Sequence, residues 1–499
     1  MKNAAARNGC QLITYADSLG GNLSALRTAL DGPLGDAVVG VHLLPFYPSS
    51  GDRGFAPLTF DEVDEAFGSW ADIEKLTERY DVMVDFVANH LSRRSPYFLD
   101  YLEKGSSSAY ADLFLRPESL SPTGSISPQD LAKIYTRKPR APFIEVQFAD
   151  GTKQNVWCTF GEEQIDLDWR SEVTRALARQ WLEGLAERGI RFLRVDAFGY
   201  AVKKLGTSCF FVEPEMWEVL GLIRDAVANA GIELLPEVHA EYQLQHAIER
   251  HGYYAYDFCL PMLVLHGLFS GDSAPLKHWL ATCPRRQFTT LDTHDGLPVL
   301  DVAGLLDEAQ IKATTDALFA RGGNVNRRYS SAEYDNLDIY QINCTYYSAL
   351  GEDDAAYLLA RAIQFFTPGI PQVYYVGLLA GVNDLDKVEL TRAGRDINRH
   401  DYTDHEIRDA VQRDVVQQLL ALMRFRNTCS AFNGAMTILE QVTHTDFAET
   451  PAASFLGVRW AHAGSEAELY ADLQSKRFVI RHRDEHTPSW QTLVPNGAR

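Results

Sequence analysis

Three acidic residues of this chain each follow a short run of apolar or β-branched residues: Asp196 in RVDAFGY, Glu237 in PEVHA and Asp295 in LDTHDG. A carboxyl group that emerges from the end of a buried strand faces a pocket rather than bulk water. Cleavage of a glycosidic bond needs two such groups with opposed protonation states. One stays ionised and attacks the anomeric carbon, and the other keeps a proton for the leaving oxygen. Arg194 stands two residues before Asp196, so on a strand it shares that face, and its charge is expected to keep Asp196 ionised. Glu237 follows Pro236 and an apolar run, a setting that raises a carboxyl pKa. Asp295 is then available to stabilise positive charge on a sugar ring. A single aspartate at a strand end is more often a cap or a turn former. Three of them, each beside an arginine or a histidine, favour catalysis. A retaining pair predicts about 5–5.5 Å between the carboxyls of Asp196 and Glu237.

The elements that must position these groups follow from the hydrophobic pattern. Continuous apolar runs at 11–19, 38–46, 82–90, 191–200, 233–240, 254–261, 288–296 and 371–377 read as strands buried on both faces. Amphipathic stretches at 174–189, 215–231 and 355–369 alternate with them and end at glycine. Eight strands, most followed by a helix, predict an α/β chain folded as a (β/α)8 TIM barrel, with Asp196, Glu237 and Asp295 ending strands four, five and seven. Two strand-to-helix connections are too long for simple loops. The pattern therefore divides into barrel segments 1–90, 172–296 and 352–431, an inserted domain at 91–171, and a second insertion at 297–351. A C-terminal antiparallel β domain is expected at 432–499, where the periodicity becomes alternating.

The 499 residues are 46% hydrophobic and 23% charged, which is enough apolar material for a large core with appendages. A formal net charge of −20 argues against nucleic acid or an anionic membrane as partner. Without a spanning apolar run or a signal-peptide pattern, a soluble cytoplasmic enzyme is expected. Seven dispersed cysteines without a C-x-x-C pair suit a reducing compartment and predict neither a disulfide framework nor a metal site. The surface pattern specifies no interface, although a homodimer is compatible with a barrel of this kind.

These motifs, with VDFVANH (84–90), occur in the order found in the α-amylase family, which the chain resembles over nearly its whole length. The resemblance implies a barrel with an inserted domain B and a C-terminal β domain. A narrower likeness is carried by QLITYADSLGG, GTSCF (206–210), NCTYYSALG (343–351), FFTPGIPQVYYVG (365–377) and GRDINRH (394–400), which are similar to the sucrose phosphorylase group of that family. It implies that inorganic phosphate, rather than water, takes the glucosyl group from Asp196, giving α-glucose 1-phosphate. No cofactor is implied; phosphate is a co-substrate. By position, Asp52, Phe55, His90, Phe160, Arg194, His294 and Arg395 correspond to the glucose subsite.

A phosphate dianion must approach a site that already holds three carboxylates, so local cations or hydrogen-bond donors are needed. Arg137 and Lys138 in TRKPR lie in the first insertion, and Arg327 and Arg328 in the second. Tyr200, His239, Tyr340 and Gln341 are the further expected phosphate or acceptor contacts. The stretch NRRYSSAEYDNLDIYQ (326–341) departs from the sucrose enzymes before its Asp338, Tyr340 and Gln341, and Lys138 stands where the group carries an arginine. The favoured donor is sucrose, releasing fructose. 2-O-α-Glucosylglycerol is the alternative, followed by sucrose 6-phosphate and glucosylglycerate. A hydrolase or transglucosidase on the same fold, and a catalytically inert carbohydrate-binding protein, are the competing classes.

Overall fold

The computed structural model describes residues 6–121, 123–136, 140–324 and 341–493. All eight apolar runs form strands, each shorter than its run: β1 (Gln11–Thr14), β2 (Gly40–Leu43), β3 (Asp81–Val87), β4 (Phe192–Asp196), β5 (Glu233–Pro236), β6 (Ala255–Asp257), β7 (Gln287–Thr289) and β8 (Ile370–Tyr374). They make one sheet in the order β6-β7-β8-β1-β2-β3-β4-β5. The pairings of β3 with β4, β4 with β5, β6 with β7, β7 with β8 and β8 with β1 are parallel. Each strand thus lies beside its neighbour in sequence except β5 and β6, which end the order, as in a nearly closed (β/α)8 barrel. Every residue of β4 is buried, which explains why the sequence shows a continuous apolar run rather than alternation.

The chain divides into two compact units. One is built mainly on Leu43–Val238. Here the register of β3 on β4 sets Asp85 opposite Arg194 and Val87 opposite Asp196. The helix Glu172–Ala186 starts at Ser171, whose hydroxyl accepts the Val173 amide, and it buries Thr174, Ala178, Trp181, Leu182 and Leu185 at helical spacing. The segment read as an insertion supplies the helix Pro96–Lys104 and two antiparallel ribbons, Phe143–Gln147 with Lys153–Trp157 and His90–Ser92 with Gln164–Asp166.

The second unit comprises Arg7–Gly21, Ala25–His42 and the chain from His239 onward. The helix Asp354–Phe366 is capped by Asp353, which accepts the Ala355 and Ala356 amides, and is almost wholly buried. The C-terminal segment forms an antiparallel sheet in chain order, β9 (Ala435–Ile438), β10 (Phe455–His462), β11 (Ser465–Asp472), β12 (Arg477–Arg483) and β13 (Gln491–Leu493). The last strand, Gln-Thr-Leu, is short, polar and mostly exposed. All seven cysteines are free thiols. No helix among the described residues is long and apolar enough to cross a membrane.

Candidate active site

In the first unit, Arg194 is the hub. Alternation along β4 puts Arg194 and Asp196 on one face, and the parallel register adds Asp85 from β3. Arg194 Nη1 donates to Asp85 Oδ1 and, at 2.7 Å, to Asp196 Oδ1; Nη2 lies 2.9 Å from Glu237 Oε1. The guanidinium side chain is 3% exposed, and those of Asp196 and Glu237 are each 11% exposed. Asp196 closes β4, as predicted, and Glu237 directly follows β5.

One guanidinium therefore serves three carboxylates, and this changes the expected electrostatics. Burial is the largest influence on Asp196 and pushes its pKa up; Arg194 opposes this, while Glu237 and Asp85 add to it. Arg194 alone does not hold Asp196 in the ordinary carboxylate range. One guanidinium shared by three buried carboxylates favours a proton at this site. The backbone turns sharply beyond the strand: Ala197 is left-handed at φ 52°, an uncommon conformation for alanine, and its amide donates to Glu237 Oε2 at 3.3 Å.

The first unit also holds Asp52, Phe55, His90 and Phe160 of the residues read as a glucose subsite. The Arg194 guanidinium is 5.6 Å from the Phe55 ring centroid. His90 Nε2 donates to the Phe55 carbonyl at 2.9 Å and its Nδ1 lies 3.2 Å from Asn89 Nδ2, an arrangement of a neutral imidazole; burial also lowers its pKa. Phe160 packs against His90 and edge-on to Tyr200, with centroids 5.4 and 5.0 Å apart. Tyr200 also contacts Phe210 and Tyr135, so its ring belongs to an aromatic cluster. Asp52 is exposed, in a tight turn where it and Arg53 are both left-handed. The turn requires Gly54, whose φ is 103° and where a Cβ would lie 2.5 Å from the Pro45 carbonyl oxygen.

In the second unit, Asp295 does not end its strand. β7 stops at Thr289 and Asp295 lies six residues beyond, in the loop; the apolar and β-branched residues Phe288 to Leu291 hide this turn. Asp295 Oδ1 is 3.1 Å from Arg395 and 3.9 Å from Arg399, and Oδ2 is 3.8 Å from His294 Nε2. Burial by itself would raise its pKa, but Arg395, His294 and Arg399 together hold it well below the usual carboxylate range. His239 stacks on Phe258 at 4.0 Å, and its Nδ1 is 3.6 Å from Asp301 Oδ2. Gln341 lies in a two-stranded ribbon, paired with Pro298.

Arg137, Lys138, Arg327, Arg328, Asp338 and Tyr340 lie outside the described residues. The structure adds residues that sequence reasoning missed. Asp85 is a charge inside an apolar strand, a signal that was available. Lys203, 1% exposed, places Nζ 2.5 Å from both Asp166 Oδ2 and Asn89 Oδ1, tying the His90 segment to the ribbon opposite. Nothing in the local sequence marks Lys203 as buried.

Residues 33–229 match the α-amylase catalytic domain. The chain is 55% identical over 426 residues to a sucrose phosphorylase of Streptococcus mutans, covering 85% of this chain and 89% of that protein. It is 45% identical over 482 residues to a glucosylglycerol phosphorylase of Marinobacter adhaerens, covering 96% and 98%. The crystal structure of sucrose 6F-phosphate phosphorylase from Thermoanaerobacter thermosaccharolyticum superimposes with a TM-score of 0.92 at 44% identity, covering 98% of each chain.

Proposed function

The chain belongs to the sucrose phosphorylase group of the α-amylase family, and from this premise we propose that it is a retaining α-glucoside phosphorylase acting by double displacement through Asp196. The named relatives share one reaction class, phosphorylase-catalysed glycosyl transfer, and the chain is an enzyme of that class. The finer mechanism rests on one observation: Asp196 and Glu237 both bind the terminal nitrogens of a single guanidinium. Two carboxyls held by one guanidinium support the reading of Asp196 as nucleophile and Glu237 as acid/base of a retaining pair.

In the first step the ionised Asp196 attacks the anomeric carbon. The proton kept by the pair passes from Glu237 to the glycosidic oxygen as the carbon–oxygen bond breaks and the acceptor leaves. The product is a β-glucosyl ester on Asp196. In the second step a phosphate oxygen attacks the same carbon from the opposite face, with Glu237 as base, and releases α-glucose 1-phosphate and free Asp196. Asp295, kept ionised by Arg395 and Arg399, stabilises the oxocarbenium-like charge in both steps. Phe55 and Phe160 are assigned to the apolar faces of the glucose ring, and Asp52, His90, His294 and Arg395 to its hydroxyls. Arg137, Lys138, Tyr200, His239, Tyr340 and Gln341 are assigned to phosphate and the acceptor.

Sucrose is the proposed donor, supported by the 55% identity to the Streptococcus enzyme. A glucosylglycerol reading has its own support in the Marinobacter relative, which aligns with more of the chain. The test is incubation with each glucoside and phosphate while glucose 1-phosphate is measured. Faster phosphate-dependent product from sucrose supports the first reading and faster product from glucosylglycerol the second. Free glucose as the only product at saturating phosphate would overturn both.

A further inference from the structure

The loop carrying Asp295 is gripped from two sides. On one, Asn398 Nδ2 donates to the carbonyls of Thr293 and Asp295 at 3.1 and 3.0 Å, and Arg399 Nε donates to that of His294 at 2.9 Å. On the other stands Asp292, 5% exposed. Arg361 Nη2, from the helix Asp354–Phe366, donates to both oxygens of Asp292 at 2.8 Å. Arg361 is fully buried; its Nη1 donates to Gln364 Oε1 at 2.9 Å and its Nε to the Tyr357 hydroxyl at 3.1 Å. Gln364 Nε2 in turn donates at 2.9 Å to the carbonyl of Thr289, the last residue of β7. One helix thus holds both the start of the loop and its middle.

Gly377 completes the arrangement. A Cβ there would lie 2.0 Å from Asp292 Oδ2 and 2.2 Å from Arg361 Nη2, so glycine is needed for space rather than for an unusual backbone angle. An ion pair buried this deeply is an inefficient source of stability, because well-packed apolar groups commonly do as well. The pair is also neutral overall, so it leaves the field at Asp295 to Arg395, Arg399 and His294. What a packed, planar guanidinium does supply is direction: Nη2 meets Asp292 while Nη1 and Nε are held by Gln364 and Tyr357.

We propose that Arg361 is a positioning residue for Asp295, acting through Asp292 to fix the orientation of the loop. The inference rests on the role given to Asp295 above. The experiment is a double-mutant cycle of Arg361→Lys with Asp295→Asn, read as release of fluoride from α-glucosyl fluoride. That readout needs no phosphate, so failure of the phosphorylase reading and failure of this one are distinguishable. Alone, Arg361→Lys keeps the charge but loses the planar group that joins Asp292 to Gln364 and Tyr357, and kcat is expected to fall about 10- to 100-fold with KM little changed. In the Asp295→Asn background the same change is expected to alter kcat less than about 2-fold, since the group being positioned is gone. An equal loss in both backgrounds, or an unchanged kcat in Arg361→Lys, overturns the proposal. If Arg361→Lys does not fold, Asp292→Asn, which keeps the shape of the partner, is taken through the same cycle with the same criteria.

Discussion

Arg194 Nη1 sits 2.7 Å from Asp196 Oδ1, with the guanidinium almost wholly buried between Asp196 and two further carboxylates. Removing the cation takes from three desolvated acids the guanidinium that they share. Arg194→Leu is therefore expected to destabilise the protein by about 3–5 kcal/mol. Thermal or urea unfolding measures this, and an unchanged midpoint would refute the shared-hub description.

Glu237 and Asp196 are given different tasks, so their variants should differ with the leaving group. Asp196→Asn is expected to lose turnover by roughly three orders of magnitude or more on every donor, with an unchanged melting temperature. Glu237→Gln should lose activity comparably on sucrose but far less on α-glucosyl fluoride, whose leaving group needs no proton. Parallel kinetics on the two donors decide the assignment. Equal losses of Glu237→Gln on both would show that it is not the acid.

Lys203 is buried against Asp166 and Asn89. Lys203→Met keeps much of the volume but leaves Asp166 as a buried anion held by Thr159 alone among the contacts described, at 2.6 and 3.0 Å. A loss of about 3–5 kcal/mol is expected. Lys203→Met,Asp166→Leu should recover part of it, and denaturation of both variants tests the pair.

Asp257 gives a pH signature. Burial is the main reason that its pKa is raised from 3.8 to about 7, even though it accepts the Trp279 indole N–H at 3.0 Å and the Leu260 amide at 3.0 Å. Between those values the folded protein keeps a proton that the unfolded chain gives up. The stability from that proton is full below the unfolded pKa and is lost as pH rises through the folded one. Asp257→Asn removes this dependence, so relative to wild type it should gain stability between pH 4 and 8 by on the order of a few kcal/mol. Melting curves of both proteins across that range check the sign; a constant difference contradicts it.

The sequence made the barrel legible because strands buried on both faces leave continuous apolar runs, and all eight runs were found. It also made the pair Asp196 and Glu237 legible, since each ends or directly follows a strand. Asp295 was read as a strand end, which it is not, because the apolar and β-branched residues Phe288 to Leu291 run on past the last paired residue, Thr289.

Sequence alone singled out Asp196 and Glu237 as candidates, through residue type and their place at the ends of strands. The partners were decided only by tertiary structure. The register of β3 on β4 set Asp85 beside Arg194 and turned one expected ion pair into a hub of three carboxylates. Helix packing brought Arg361 to Asp292, 69 residues away in the chain, and left room there only for Gly377. Such contacts join distant segments, and the pKa shifts that follow depend on the burial and crowding of charge, which no local pattern encodes.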